Sequence, residues 1–299
     1  MAVVLALPDG DGHARKLAAR LDARLIVPQV HVFPDGEISV RIDSDGALTG
    51  QDVVLCGSLY PRPADKFLLV AFLAATARDL GARRVGLVAP YLAFMRQDVQ
   101  FHPGDGVSAR HFAQLVSRSV DWMVTVDPHL HRIHALDGLY TIPTTIARAA
   151  PAIAAWITAE VENPVLVGPD AESVQWVAAV AAACGAPYLV LEKTRRGDRD
   201  VSVTRPVAPG GTWNGATPVV IDDIVSTGRT MLEATRELRA AGSAAPVCVA
   251  IHAVFADAVQ GELIDAGARR VVSCNTITHA SNAICVADPI AAAVRRHLG

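Results

Sequence analysis

The chain has 299 residues, enough for two domains with separate cores, and its formal net charge of −3 carries no basic footprint, which argues against nucleic acid as a partner. Hydrophobic residues make up 51% but aromatics only 5%, an Ala, Val and Leu-rich balance suited to close packing of helices on a sheet in a soluble α/β protein. The longest notable apolar run, Phe67 to Ala77, lies between Lys66 and Arg78 and is too short to span a bilayer, and a strand pattern follows Met1 where a secreted chain has a basic leader, so a cytoplasmic protein without a membrane partner is expected.

In chain order, Val3 to Leu7 predicts a strand, then a turn around Gly10 and Gly12 and a helix to about Leu21. Two short strands follow at Leu25 to Val27 and His31 to Phe33. Pro34-Asp35-Gly36 predicts a hairpin turn into the alternating strand Ile38, Val40, Ile42. Val53 to Gly57 predicts a strand, Ala64 to Leu80 a helix closed by Gly81, and Val85 to Ala89 a strand ended by Pro90. The polar stretch Tyr91 to Asp98 and a Gly/Pro loop lead to a helix near Ser108, and the strand Trp122 to Val126 runs straight into Asp127-Pro128-His129. The second half repeats the style. Strands at Val165 to Val167, Tyr188 to Leu191, Val247 to Ile251, Val271 to Ser273 and Ile284 to Val286 alternate with helices, Val201 to Val203 and Pro218 to Ile221 flank a turn at Asn214-Gly215, and a closing helix spans about Pro289 to Leu298. Two tandem α/β domains follow, 1–145 and 146–285, each a mostly parallel sheet flanked by helices, with 286–299 a closing helix against the first domain. The likeness of Val124-Thr125-Val126-Asp127 to Val219-Val220-Ile221-Asp222 hints at a duplicated fold. The cysteines Cys56, Cys184, Cys248, Cys274 and Cys285 are scattered singly without CxxC spacing, so buried free thiols are expected and structural zinc is not.

The stretch most informative of chemistry is Val219 to Met231. An apolar run suited to a buried parallel strand meets two carboxylates, Asp222 and Asp223, then the small, hydroxyl-bearing loop Val225-Ser226-Thr227-Gly228-Arg229-Thr230, then a helical pattern from Met231 to Ala241. A helix N-terminus after a parallel strand offers free N–H groups and a positive dipole end to an anion, and Ser226, Thr227 and Thr230 add hydroxyl donors. Two acids beside a phosphate need sugar hydroxyls or a hard cation such as Mg2+ to contact. A sugar phosphate satisfies both halves; a lone Asp would instead be a helix cap. The cationic segment Lys193-Thr194-Arg195-Arg196 with Arg199 follows a strand end in the same domain, where it suits a flap closing on a polyphosphate, although such runs also occur as solvated surface. Asp127 and His129, spaced i, i+2, fall on one face of an extended strand end, apt for a metal or phosphate.

The doublet with Ser-Thr-Gly-x-Thr resembles the phosphoribosyl-pyrophosphate (PRPP) motif shared by type I phosphoribosyltransferases and PRPP synthetases. The whole chain is similar to the PRPP synthetase (ribose-phosphate pyrophosphokinase) family. Phe33-Pro34-Asp35-Gly36-Glu37 resembles its F-x-D-G-E loop, Arg96-Gln97-Asp98 its R-Q-D, Val126-Asp127-Pro128-His129 its V-D-x-H, Gly168-Pro169-Asp170-Ala171 its P-D-A, Lys193-Thr194-Arg195 its K-x-R and Asn275-Thr276-Ile277 its N-T-I. The resemblance implies two tandem type I phosphoribosyltransferase-like domains and transfer of the β,γ-diphosphate of Mg-ATP to the 1-hydroxyl of ribose 5-phosphate. It implies ATP binding by Phe33, Asp35, Glu37, Arg96, Gln97, Asp98 and His129, Mg2+ at Asp127, His129 and Asp170, and ribose 5-phosphate at Asp222, Asp223, Val225, Ser226, Thr227, Gly228, Arg229 and Thr230. Lys193, Arg195 and His129 would be catalytic. The adenine loop acts across a subunit interface in the family, which implies a dimer-based homo-oligomer, up to a hexamer. Val99 and Gln100 stand where basic residues often follow R-Q-D, Glu172-Ser173 where Gly-Gly follows P-D-A, and Arg229 where the loop usually has Gly. A PRPP-consuming phosphoribosyltransferase and a non-catalytic paralogue are the alternatives.

Overall fold

The computed structural model describes every residue except Met1, Asp9, His131, His134, Glu192, 197–199, 204–212, Asn214, Asp257 and Gly299, and for Asp11, 193–196 and 200–203 it describes the backbone alone. The chain divides into two compact units, 1–148 with 287–299, and 149–286.

The first unit holds β1 (Ala2–Ala6), α1 (Asp11–Leu21), β2 (Arg24–Ile26), β3 (Gln29–Val32), β4 (Ile38–Arg41), β5 (Asp52–Cys56), α2 (Pro63–Asp79), β6 (Arg84–Ala89), α3 (Ser108–Ser119), β7 (Trp122–Val126) and β8 (Thr144–Ala147). Six strands form one parallel sheet in the order β2-β1-β5-β6-β7-β8. Every residue of β5 and β7 is buried, as expected of central parallel strands covered on both faces. β3 and β4 form the expected antiparallel hairpin outside this sheet, with Gly36 at φ +91 in its turn and Val32 62% exposed beside it.

The second unit holds α4 (Ala150–Glu160), β9 (Pro164–Gly168), α5 (Val174–Cys184), β10 (Tyr188–Val190), β11 (Lys193–Arg196), β12 (Asp200–Val203), β13 (Thr217–Val225), α6 (Arg229–Ala240), β14 (Val247–Ala253), α7 (Val259–Asp265), β15 (Arg270–Cys274) and β16 (Asn282–Ile284). Its parallel sheet runs β10-β9-β13-β14-β15-β16. The strand at 200–203 does not turn back onto β13 as the Asn214-Gly215 turn suggested; it pairs with β11, Lys193 opposite Val203 and Arg196 opposite Asp200.

The two sheets have the same strand order, so each reverses its direction of growth once, between β1 and β5 and between β9 and β13. Ligands of such sheets bind at the carboxyl ends beside that reversal. The tetrapeptide likeness does not mark equivalent strands: β13 is third in its sheet and β7 fifth. A buried parallel strand ending in Asp reads alike wherever it stands in a sheet.

The last helix, α8 (Ala287–Arg295), belongs to the first unit and packs on α1, β7 and β8. Arg20 grips Asp288 with Nε at 2.6 Å and Nη2 at 3.0 Å. Beyond the helix His297 stacks flat on Trp122 at 4.8 Å, contacts Thr145 Oγ1 through Nε2 at 2.9 Å, and accepts Arg84 Nη2–H on its carbonyl at 2.8 Å. Of the cysteines, Cys56, Cys248 and Cys274 are buried as expected, Cys184 is half-buried and Cys285 exposed.

Candidate active site

In the second unit the carboxyl ends of β9 and β13 carry the acidic and phosphate-loop residues. β13 does not stop at Ile221. It continues through Asp222 and Asp223 to Val225 because β14 keeps pairing with it, Asp222 opposite Ala250, Ile224 opposite His252 and Val225 opposite Ala253. On the other side β9 ends at Gly168, and the strand's N–H groups turn to the acids themselves: Asp222 Oδ1 accepts from Asp223 N–H at 2.9 Å and Asp223 Oδ1 from Ile224 N–H at 2.7 Å.

Gly228 then sits at φ +67 as the residue before α6, where an added Cβ would stand 2.5 Å from Val259 Cγ1. With no side-chain cap, the first-turn N–H groups of α6 face the loop bearing Ser226, Thr227 and Thr230, the arrangement that receives a phosphate. A cavity of about 500 Å3 opens there, lined by Thr227, Arg229, Leu232, Glu233 and Arg236. Arg229 is therefore the first residue of α6, exposed at the edge of this cavity, and not part of the preceding turn.

Asp170, just past β9, accepts N–H bonds from Glu172 (3.1 Å) and Ser173 (3.2 Å) on Oδ1. Those two bonds belong to a capping box at the short turn that precedes α5, and the Ser173 hydroxyl donates to Asp170 O. Burial first, then the charges of Asp223 and Asp170, push the Asp222 carboxyl up to about 8. Such oxygen-rich crowding accepts sugar hydroxyls or a hard cation. No three His, Cys, Asp or Glu side chains among the described residues gather into a metal cage. Mg2+ fits a carboxylate such as Asp170 nonetheless, because it keeps several waters and takes one or two carboxylates together with substrate phosphates.

In the first unit the nucleotide-type motifs follow β6 and β7. Arg96 and Gln97 are exposed, Gln97 Oε1 accepts the Ser108 hydroxyl, and Asp98 is buried. Asp127 leaves the strand direction with φ +28, so the same-face pairing of Asp127 and His129 expected of an extended end does not carry over. Asp127 is buried and His129 half-buried. Phe33, Asp35 and Glu37 lie at the β3–β4 turn, where Glu37 N–H donates to Asp35 Oδ1 at 3.0 Å. Lys193 and Arg195 are on β11, and their side chains, like His131 and His134, lie outside the described residues.

Two contacts have no sequence signal. Arg132 Nη1 donates to Asp98 Oδ1 at 3.1 Å and Arg148 Nη1 to Asp127 Oδ1 at 3.0 Å. The Asn275-Thr276-Ile277 stretch is a buried tie between strands: Thr276 donates to Ile251 O at 2.7 Å, lies 2.9 Å from His252 Nδ1, and Asn275 Oδ1 accepts Val286 N–H at 2.9 Å.

Residues 2–119 match the N-terminal domain of ribose phosphate pyrophosphokinase and residues 139–288 the phosphoribosyl transferase domain. A ribose-phosphate pyrophosphokinase of Methanopyrus kandleri is 34% identical over 99% of this chain and 100% of its own length. The chain belongs to the ribose-phosphate pyrophosphokinase family. A second relative of that name, from Halobacterium salinarum, is 34% identical over 94% of this chain and 96% of its own. The solved phosphoribosylpyrophosphate synthetase of Mycobacterium smegmatis matches with a TM-score of 0.83 at 25% identity, covering 99% of this chain and 98% of that one. The fold of two type I phosphoribosyltransferase-like domains and the enzyme class stand with that membership, and no described helix is long and apolar enough to cross a membrane.

Proposed function

We propose that the chain transfers the β,γ-diphosphate of Mg-ATP to the 1-hydroxyl of ribose 5-phosphate. The ribose O1 attacks the β-phosphorus and gives its proton to water, the bond from that phosphorus to the bridging oxygen of the α-phosphate breaks, and AMP leaves with that oxygen as PRPP forms. The observation that carries this reading is the acid doublet joined to an uncapped helix N-terminus at the carboxyl end of β13, in a chain whose other half belongs to the same family end to end.

Asp222 and Asp223 hold the ribose hydroxyls, while the backbone from Val225 to Thr230 with the Ser226, Thr227 and Thr230 hydroxyls holds the 5-phosphate. Phe33, Asp35, Glu37, Arg96, Gln97 and Asp98 take the nucleotide. Asp127 and His129 in the first unit and Asp170 in the second are the residues that would hold Mg2+, which would supply positive charge against the phosphate oxygens. Lys193 and Arg195 supply positive charge to the transferring and leaving oxygens, a task that needs position more than covalent chemistry. The exposed Val32 and Phe33 beside the hairpin turn support its use against a second copy of the chain, as a homo-oligomer requires.

AMP release from ATP and ribose 5-phosphate tests the reading, and Lys193→Ala is expected to lower turnover by about 10²–10³-fold with ribose 5-phosphate binding retained. No AMP from the wild type overturns the reaction, and near-normal turnover in the variant overturns the role of Lys193.

A further inference from the structure

The family's R-Q-D is often followed by basic residues that grip nucleotide phosphates, and here Val99 and Gln100 leave that charge missing. The fold brings cations to the carboxyl rim of the same sheet from elsewhere in the chain. β6, β7 and β8 are adjacent parallel strands, so the segments after their carboxyl ends meet along one rim. The segment after β6 carries Asp98, that after β7 carries Asp127 and Arg132, and Arg148 follows β8 directly.

Arg132 ties the β7 segment to the β6 side: Nη1 donates to Asp98 Oδ1 at 3.1 Å, its own backbone N–H reaches Asp98 Oδ2 at 3.3 Å, and its guanidinium lies over the Phe101 ring at 5.7 Å. Arg148 ties β8 to the turn after β7 through Asp127 Oδ1 at 3.0 Å. The geometry is the same in both. The carboxylate is buried, 2% exposed at Asp98 and 4% at Asp127, while the guanidinium is open, 58% at Arg132 and 61% at Arg148. Each guanidinium gives one N–H to its acid and, apart from the Phe101 ring beside Arg132, has no other partner among the described residues, which leaves donors of its fork for an anion. Each arginine offsets the charge of a buried acid and still presents donors.

We propose that Arg132 and Arg148 are phosphate-binding, specificity-determining residues for the diphosphate donor, supplying the charge absent at positions 99 and 100 so that a nucleoside triphosphate is preferred over its monophosphate. This rests on the nucleotide-binding reading of the first unit given above. Both side chains stand in that unit and at its sheet's carboxyl rim, along the β6 to β8 side where the R-Q-D segment follows β6.

The test measures direct binding of ATP and of AMP to the full chain and to Arg132→Gln, Arg148→Gln and the double variant, by calorimetry in low salt. Each single variant is expected to weaken ATP binding by about tenfold, the double variant by more, with AMP binding changed less than twofold and the Lys variants restoring part of the loss. The wild-type preference for ATP over AMP should also decline as salt rises, and the variants should have lost that dependence. An equal loss for ATP and AMP, or a loss accompanied by a lowered melting temperature and no change in the ATP-to-AMP ratio, overturns the proposal and leaves the arginines as neutralisers of buried acids. Unchanged ATP affinity in the double variant overturns it too. The AMP-release assay decides the reaction separately: a wild type that shows the triphosphate preference but releases no AMP supports these arginines and rejects the reaction.

Discussion

Asp52 shows how much a single buried carboxylate can depend on its neighbours. It opens β5, is buried, and accepts two guanidinium forks, from Arg83 at 2.7 and 3.1 Å and from Arg84 at 2.9 and 3.1 Å. Burial raises its pKa, but the hydrogen bonds and charges of Arg84 and Arg83 outweigh that and hold the carboxyl at about 2, below its ordinary 3.8. A folded-state value below the unfolded one stabilises the protein above the unfolded value, and the contribution drains away as pH falls from about 3.8 towards 2. Asp52→Asn is therefore expected to cost about 2 kcal/mol at pH 7 and about half that at pH 3, read from urea midpoints. An equal gap at both pH values removes the ion pairs from the explanation. Arg84 is shared, since its Nη2 also holds the His297 carbonyl, so the variant should loosen the end of the chain as well.

At the scale of elements, the turn from β13 into α6 is the feature most exposed to substitution. Gly228 adopts φ +67, where a Cβ is strained, and Val259 of α7 closes the space in which that Cβ would stand. Gly228→Ala is expected to destabilise the second unit by about 1–3 kcal/mol and to raise the KM for ribose 5-phosphate by about tenfold, with ATP binding unchanged. Adding Val259→Ala relieves the contact but not the dihedral, so partial recovery of stability without recovery of KM is the diagnostic result. Full recovery of both would mean that contact alone shapes the loop. The mate of this turn in the first unit has no such loop: after β5 the chain passes through Gly57 and Ser58 to α2, with Lys66 buried on that helix and donating to Pro8 O at 3.4 Å. The same sheet order thus carries two different carboxyl-end constructions.

For the whole molecule the open question is self-association. Leu68 and Phe72 on α2 and Leu115 on α3 are exposed, and these two helices pack side by side in the first unit, Phe67 against Phe112 at 5.2 Å. Light scattering is expected to give a dimer or larger, and Leu68→Glu with Phe72→Glu to shift it towards monomer and lower activity together. A wild-type monomer with full activity would place the whole site within one chain.

Read along the sequence, the alternation of apolar strands with helical periods determined the α/β class, the strands other than β8 and β11, and the hairpin at Pro34-Asp35-Gly36, because burial of a strand or helix face is a local demand. The acid doublet and Ser-Thr-Gly loop pointed to a sugar-phosphate site, because phosphate geometry at a helix N-terminus needs contiguous residues. Partners distant in sequence were beyond that reach. That β13 carries both acids inside the strand, that Asp170 approaches Asp222 closely enough to lift its pKa, that 200–203 pairs with 193–196, and that Arg132 and Arg148 settle on Asp98 and Asp127 were decided by tertiary structure. Strand neighbours and charge partners are chosen by sheet order, and sheet order is set by the packing of the whole core, which no single window of the sequence contains.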